Sequence, residues 1–336
     1  MTGIQWTDAT WNPVVGCTRV SAGCDRCYSV PITHRLGAMA EADRADGRDP
    51  GRKAAYEGLT VLNRKGERHF NGVVRCVEEA LPIPLKWRKP RRVFVNSMSD
   101  LFHDKVPFGF IDKVFAVMAV CPQHTFQILT KRPERMAAYT SSDGTIQEAN
   151  AFWVEPLTNR GRLIQRFVRS IGAPRPSDGV RYPLPNVWLG TSVEDQAAAD
   201  ERIPHLLRCH AAVRFLSCEP LLGSIDLEPW LCGNYCDVEQ AWVIVGGESG
   251  HGARGCDVNW IRSIIDQCRI ARVPCFLKQL GRYATDSTEE VVAGIICRRG
   301  PLFLRDAKGG DLDEWPEDLR IRQWPTPERV PEERRT

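Results

Sequence analysis

The sequence predicts an α/β protein built on a parallel sheet, in the form of a partial (β/α)6-type barrel. Short β-rich apolar runs alternate with helix-like segments along the 336 residues, and this alternation is typical of parallel strands joined by crossover helices. Polar residues follow every predicted strand, as expected where ligands bind beyond the carboxyl ends of strands. A doubly wound open sheet is the alternative, because periodicity does not distinguish a closed sheet from an open one.

The elements follow one another in a regular order. The predicted strands are Asn12–Gly16, Val93–Asn96, Phe126–Thr130, Val187–Thr191, Val213–Ser217, Trp242–Gly246 and Cys275–Lys278. Helical spacing of apolar residues predicts helices over Pro107–Val120, Ala197–Cys209 and Val258–Ala271. Polar stretches at 40–68 and 141–185 are predicted insertions, so we expect a barrel over residues 1–281 and a C-terminal extension over 282–336.

Composition limits the possible partners and compartments. The net charge of +3 is too small to indicate a nucleic-acid binder by itself, and no apolar run reaches membrane-spanning length. No basic region followed by an apolar stretch opens the chain, so we expect a cytoplasmic protein with reduced cysteines. Two groups of cations could contact phosphates or only solvent: Lys86, Arg88, Lys89, Arg91 and Arg92, and Arg160, Arg162, Arg166, Arg169, Arg175 and Arg181.

The strongest local signal is a group of three cysteines near the start of the chain. Six residues separate Cys17 from Cys24, and two separate Cys24 from Cys27, in a loop that contains Gly16 and Gly23. Such a loop can turn three sulfur atoms toward one point, and thiolates are soft ligands for iron–sulfur clusters or zinc. Three protein ligands leave one coordination position open, which predicts a chemical use for the centre.

Two other interpretations of these cysteines stay open. A structural zinc site would need a fourth ligand, for which His34 and Cys76 are candidates. The thiols could instead be buried without any metal. The structural zinc site would make the protein a nucleic-acid or protein binding module that uses the barrel as a scaffold.

The strand ends supply the second signal. Glu219 precedes a proline and Glu248 follows two glycines, both unusual contexts for a helix start, so we assign these carboxylates to function. Lys131 and Lys278 could hold a carboxylate or phosphate, and Gly246 and Gly247 allow close approach of a ligand to the backbone. Ser99 and Asp100 could equally be helix caps, and a hydrolase that uses Glu219 and Glu248 as acid and base remains a further alternative.

Several motifs together resemble one family. These are the run from Trp6 through Tyr28, Phe94–His103, Leu129–Pro133, Trp188–Glu194, Cys218–Leu222, Val245–Gly250 and the pair Lys278 and Gln279. In this order they resemble the phage-type three-cysteine-motif family, which is similar to radical S-adenosylmethionine (SAM) enzymes. The resemblance spans about residues 4 to 281.

The resemblance implies a radical SAM-like barrel and a set of site residues. Cys17, Cys24 and Cys27 would hold a [4Fe–4S] cluster, and SAM would bind the fourth iron. The residues expected to position the cofactor are Ser97, Ser99, Asp100, Thr191, Ser192, Glu194, Gly246 and Gly247. The residues expected to face the substrate or the methionine carboxylate are Lys131, Glu219, Glu248 and Lys278.

The resemblance also implies a reaction and partners. SAM cleavage would yield a radical that abstracts hydrogen from a substrate, which we expect to be a modified nucleobase in phage DNA. An electron donor such as flavodoxin or ferredoxin would be required, and the cytoplasm would be that of the host cell. The chain departs from most radical SAM enzymes in the longer gap between Cys17 and Cys24, in Arg26 at the usual aromatic position, and in the late Gly-Gly-Glu motif.

Overall fold

The computed structural model describes residues 4–140, 166–173, 183–231, 241–250, 252–292 and 295–325. The chain divides into two compact units. Unit 1 comprises Met1–Thr191 with Arg208–Ala211, and unit 2 comprises Ser192–Leu207 with Ala212–Thr336. Most of the insertion predicted at 141–185 lies outside the described residues.

Unit 1 carries the first four strands of the main sheet. Its elements are β1 (Ala9–Trp11), β2 (Val14–Val15), α1 (Ser29–Ala45), β3 (Thr60–Leu62), β4 (Arg68–Phe70), β5 (Arg75–Cys76), β6 (Arg92–Val95), α2 (Phe108–Ala119), β7 (Thr125–Thr130), α3 (Pro133–Thr140) and β8 (Val187–Ser192). Short 3-10 helices lie at Ala22–Cys24, Gly51–Tyr56, Glu78–Ala80 and Pro84–Lys86. The pairs β1–β6, β6–β7 and β7–β8 are parallel.

Unit 2 carries the remaining strands and the C-terminal part of the chain. Its elements are α4 (Gln196–Leu207), β9 (Val213–Cys218), α5 (Glu228–Leu231), β10 (Ala241–Gly246), β11 (Cys256–Asp257), α6 (Val258–Ala271), β12 (Cys275–Gln279), β13 (Ala284–Val292) and β14 (Ile295–Pro301). Two 3-10 helices follow at Leu312–Glu314 and Glu317–Leu319. The strand β10 pairs in parallel with β9 and β12, whereas β13 and β14 form an antiparallel hairpin.

The predicted fold class is confirmed. The main sheet has seven strands in the order β1-β6-β7-β8-β9-β10-β12, and this parallel sheet with flanking helices is consistent with a partial TIM-like barrel. The order in space follows the order in the chain throughout. A doubly wound sheet reverses its strand order at a switch point, so the open-sheet alternative does not apply.

One predicted strand lies outside the parallel sheet. The run Asn12–Gly16 was predicted as a shorter strand, but the strand that joins the parallel sheet is β1, just before it. The following β2 pairs antiparallel with β5, so that Val14 lies opposite Cys76. Pro13 separates the two strands and has no N–H to donate to a ladder. The chain therefore leaves the main sheet before it reaches the cysteines.

Apolar packing and specific caps hold the elements in place. In unit 1, Trp11 is buried and its ring lies 5.8 Å from that of Phe126. In unit 2, Trp242 stacks on Trp324 with centroids 5.0 Å apart, which fixes the C-terminal segment against β10. The helix α6 begins where the Asp257 side chain accepts a hydrogen bond from Asn259 N.

Candidate metal centre and charged strand ends

The cysteines lie in a loop between β2 and α1, which we call the cysteine loop (Gly16–Tyr28). Gly16 has φ +85°, and a Cβ at this position would lie 2.1 Å from the carbonyl oxygen of Val73. Only glycine fits so close to that neighbouring backbone. A bridge pairs Gly16 with Ser99, just beyond β6. The loop is therefore anchored at the carboxyl end of β6, where the sequence predicts a site.

The three thiols of this loop influence one another. The pKa of Cys17 is raised to about 12. Burial is the largest cause, the Asp100 carboxylate also raises it, Arg132 lowers it, and Cys27 and Cys24 raise it. Burial likewise raises the pKa of Cys27, Ser29 lowers it through hydrogen bonds, Cys24 raises it and Lys131 lowers it. Each of the three cysteine pairs is thus close enough for mutual repulsion between thiolates.

Cys27 has two features that favour its thiolate. Its sulfur lies 2.9 Å from Ser29 Oγ, and it lies two residues before the start of the 17-residue helix α1. The positive end of a helix dipole stabilises a thiolate placed there. Neither feature can be read from the cysteine spacing alone.

The donor set fits a thiolate-bound metal centre, although the ligands are not assembled. Within the described ranges, no group of three or more His, Cys, Asp or Glu side chains could hold a metal ion as they stand. The donors are soft, lie near one another and repel one another when ionised, and a cation between them would relieve that repulsion. Metal binding would therefore draw the three sulfur atoms together from their present positions.

The two candidates for a fourth zinc ligand lie in different surroundings. His34 is exposed on α1. Cys76 is exposed on β5, and apart from burial the groups that shift its thiol pKa are Glu78, which raises it, and Lys113, which lowers it.

A buried ion pair joins the cysteine loop to the ends of β6 and β7. Arg132 Nη1 lies 2.9 Å from Asp100 Oδ2, and Nη2 donates to Thr18 Oγ1 at 2.6 Å. Asp100 also accepts a hydrogen bond from Thr130 Oγ1 at 2.7 Å. Asp100 was predicted as a cofactor ligand, whereas here its carboxylate is surrounded by protein donors.

His103 contributes a second contact to the loop. Lys105 N donates to His103 Nδ1 at 3.1 Å, so this nitrogen is an acceptor and the imidazole is neutral. The proton is therefore on Nε2, which lies 2.9 Å from Thr18 Oγ1. Burial, and then Arg132, lowers the pKa of His103, while Asp100 raises it. The histidine thus helps Arg132 to fix the residue that follows Cys17.

The predicted serines lie beside the cysteine loop. Ser97 Oγ lies 3.2 Å from Asn12 Oδ1, and Ser99 Oγ donates to Val14 O at 2.7 Å. Tyr28 donates from its hydroxyl to Ser97 O at 2.9 Å while its ring stays half exposed. Both serines are partly exposed. Their contacts with residues next to the cysteine loop place them at the same edge as that loop.

Lys131 and Thr191, the other predicted site residues of unit 1, differ in exposure. Lys131 is partly exposed, and its ammonium charge lowers the pKa of Cys27. Thr191 is fully buried and donates to Thr130 O at 2.9 Å. Lys131 therefore lies where it can meet a ligand at the thiols, whereas Thr191 joins two strands.

In unit 2, the predicted carboxylate Glu194 is buried and paired. Its Oε2 accepts a hydrogen bond from Arg202 Nη1 at 2.9 Å, and the two side chains are 1% and 2% exposed. Arg202 also donates to Ser192 O at 2.8 Å. Ser192 itself is buried. The pair links the end of β8 to α4.

Glu219 and Lys278, predicted to face the substrate, form an ion pair with each other. Glu219 follows β9 and Lys278 lies near the end of β12, on either side of β10. Each side chain is 15% exposed, and a cis peptide bond joins Glu219 to Pro220. The structure thus brings together two predicted residues that lie 59 positions apart in the sequence.

Glu248 is also paired, and its neighbouring glycines pack against the chain. Arg254 binds both carboxylate oxygens, with Nη2 2.6 Å from Oε1 and Nε 3.0 Å from Oε2. A Cβ on Gly247 would lie 2.2 Å from Leu280 O, and one on Gly246 would lie 3.2 Å from Gln279 O. The close approach that these glycines permit is therefore to the backbone after β12.

The basic segment Lys86–Arg92 lies at the other end of β6 from the cysteine loop. Lys86, Arg88, Lys89 and Arg91 are exposed, and Arg91 stacks on Trp87 at 5.4 Å. Arg92 begins β6 and pairs with Asp8. These cations therefore do not line the thiol site. In the second arginine group only Arg166 and Arg169 fall within the described residues.

Several residues of the site were missed in the sequence. Asn12, Thr18 and Ser29 all contact predicted residues, and Asn96 adopts φ +61° at the end of β6 with its Oδ1 accepting from Val14 N. An asparagine that ends a strand is a signal for a left-handed turn. The hydroxyl residues next to Cys17 and Cys27 offer no comparable signal.

Comparisons with known proteins place the chain in a family. Searches of curated proteins and of solved structures give no match. Among the described residues, no helix combines the length and the apolar character needed to cross a membrane. A family described as "Protein of unknown function (DUF5131)" matches residues 1–313, and the chain belongs to this family.

Proposed function

We propose that this protein is a radical SAM enzyme that holds a [4Fe–4S] cluster through Cys17, Cys24 and Cys27. The observation that carries the proposal is that three free and partly buried cysteines share one loop, which Arg132 holds through Thr18. A cluster held by three thiolates keeps one iron free for an exogenous ligand. The polar and partly exposed edge formed by Ser97 and Ser99 supports the presence of such a ligand.

The chain's own residues would bind and orient the reactants. When bound, the cluster would supply one electron to SAM, whose sulfur–carbon bond then cleaves to give a radical that takes hydrogen from the substrate. Ser97 and Ser99 offer hydroxyls to the cofactor beside the loop, and Lys131 offers a cation for its carboxylate. The protein's task is orientation and exclusion of water.

The buried residues of the predicted set would act through their neighbours. Asp100 fixes Arg132, Glu194 fixes α4 to the end of β8, and Thr191 joins β8 to β7. Their low exposure supports positioning roles. Glu219 and Lys278 remain partly exposed, so we assign them to substrate recognition, in which an incoming anionic or cationic group would compete for one partner of the pair.

A nucleic acid is the substrate class that we propose, with a modified base in phage DNA as the target. The exposed cations of Lys86–Arg92 support contact with phosphates, and their place at the opposite end of β6 suits an anchoring surface that is separate from the chemistry. A flavodoxin or ferredoxin of the host cytoplasm would supply the electron.

Cleavage of SAM tests this function directly. The protein, purified and reconstituted anaerobically, would be incubated with SAM and dithionite, and 5′-deoxyadenosine would be measured by chromatography. We expect product with the native chain and none with Cys24→Ala. A fully loaded native protein that forms no 5′-deoxyadenosine would reject the enzymatic proposal.

A further inference from the structure

Arg132 is the centre of the hydrogen bonds that support the first cysteine. Its guanidinium bonds to Asp100 Oδ2 at 2.9 Å, to Thr18 Oγ1 at 2.6 Å and to Thr18 O at 3.3 Å. Thr18 directly follows Cys17, so these bonds hold the guanidinium beside the first cysteine. A planar guanidinium can serve these partners at once because its five N–H groups form a rigid fork.

Asp100 is held as firmly as Arg132. Its carboxylate accepts from Thr130 Oγ1 at 2.7 Å, Phe102 N at 3.0 Å and Lys131 N at 3.2 Å, in addition to Arg132. All of these groups are donors, which is the environment of an ionised carboxylate. The pair therefore cannot separate without breaking several hydrogen bonds.

The two charges act on Cys17 in opposite directions. A carboxylate disfavours negative charge on a neighbouring sulfur, whereas a guanidinium favours it. The side chains of Arg132 and Asp100 are only 12% and 7% exposed, so solvent screens them weakly. The net effect on the sulfur is consequently a balance between two fixed neighbours.

We propose that Asp100 and Arg132 form an opposed pair of positioning charges whose balance sets the reduction potential of the centre bound through Cys17. This inference rests on the proposed function, because it requires the cluster. Reduction adds one electron, supplied in the test by dithionite, and so adds negative charge near Cys17. The guanidinium then stabilises the reduced state and the carboxylate destabilises it.

Substitution of each partner tests the proposal through a difference in sign. Midpoint potentials would be measured by EPR-monitored titration with dithionite, together with iron content. Arg132→Gln should move the potential to more negative values and Asp100→Asn to more positive values, whereas the double variant should return toward the native value. Arg132→Lys, which keeps the charge, should retain most of the native potential.

Arg135→Gln is the matched control. Arg135 is a neighbouring arginine whose guanidinium donates to the carbonyl oxygens of His103 and Val106. Its loss removes the same charge outside this pair, so we expect a smaller shift than with Arg132→Gln. Equal shifts from the two variants would show a general charge effect and overturn the proposal.

The outcomes are separable from those of the proposed function. Shifts of the same sign for Asp100→Asn and Arg132→Gln, or no shift in loaded protein, overturn the opposed pair. If Arg132→Gln does not fold, the other two variants still test the proposal. Asp100→Asn should shift the midpoint potential to more positive values, and Arg132→Lys should retain most of the native potential. A native chain that loads a cluster but does not cleave SAM overturns only the enzyme, and one that takes up no cluster overturns both.

Discussion

The ionisable groups of the cysteine loop in unit 1 and those of the charged strand ends in unit 2 differ in how far their charges are neutralised by neighbouring side chains. In unit 2 the carboxylates of Glu194, Glu219 and Glu248 each have a basic partner. In the cysteine loop the neighbouring thiols instead raise the pKa values of Cys17 and Cys27, and two nearby cations oppose this only in part. One region is internally neutralised, whereas the other would gain from a bound cation.

The difference separates structural charges from those available for binding. A buried ion pair supports the fold only while both partners are present. Neighbouring thiolates repel one another. A bound metal stabilises them, because it takes the place of the protons that the thiols lose. Substitutions in the two regions should therefore have different consequences.

Loss of one cysteine should remove the cluster. Cys24→Ala leaves two of the three proposed thiolates, so we expect iron content near background after anaerobic reconstitution, measured with sulfide content and visible absorption. Cys76→Ala is the control, since it removes an exposed thiol outside the loop. Equal iron in the native chain and in Cys24→Ala would contradict the assignment.

Loss of one partner of the buried pair should destabilise unit 2. Arg202→Met leaves the Glu194 carboxylate without this partner, and removal of one partner of a buried pair typically costs about 3–5 kcal/mol. The free energy of unfolding in urea measures this, and Glu194→Gln combined with Arg202→Met should recover much of the loss.

The exposed pair Arg269 and Asp266 supplies a comparison, with side chains 68% and 60% exposed. Arg269→Gln should leave the unfolding midpoint unchanged within error, because water screens such pairs. If Arg202→Met and Arg269→Gln behaved alike, the division between buried and exposed charges would fail.

Gly247→Ala tests whether the paired glycines serve packing. The new methyl group would meet Leu280 O, and such overpacking costs about 1–3 kcal/mol. The loss should be seen in thermal or urea unfolding without any cofactor present. Gly109→Ala, in α2 with no atom within 4 Å of the new Cβ, should be neutral or slightly stabilising. If Gly247→Ala were as stable as the native chain, packing would not explain these glycines, and ligand binding would again be the better explanation.

The smallest expected effect is the pH dependence that arises from His103. Its pKa is lower in the folded chain than in the unfolded chain, so its contribution to stability is present above the unfolded pKa and is lost as the pH falls through the folded value. The loss begins as the pH falls below the unfolded value, which is about 6.5. His103→Asn should flatten that part of the curve, and an unchanged slope would contradict the neutral imidazole.

Sequence patterns predicted the regular elements well and their partners poorly. The apolar run of Val258–Ala271 predicted α6 with the bounds that the structure has, because amphipathic spacing is a local property. The short strand within Asn12–Gly16 pairs with Arg75–Cys76 and not with the parallel sheet, because pairing across such a distance leaves no local signal. The polar residues that follow β6 lie beside the cysteine loop, since Ser99 forms a bridge with Gly16.

The roles of individual residues in the candidate site were harder to predict from the sequence. Asp100 could be predicted to lie near the cysteines, but its bond to Arg132 depends on how β6 and β7 align. The pairing of Glu219 with Lys278 depends on the order of β9, β10 and β12. Residue types at strand ends therefore predict where a site lies, whereas only the three-dimensional structure shows which charges are already neutralised.

Metal and sulfide analysis of the native chain tests the central claim most directly. After anaerobic reconstitution, the account predicts about four iron and about four sulfide per chain, with an EPR signal that appears on reduction by dithionite. Stoichiometric zinc without iron or sulfide, bound by the same three cysteines, would contradict it.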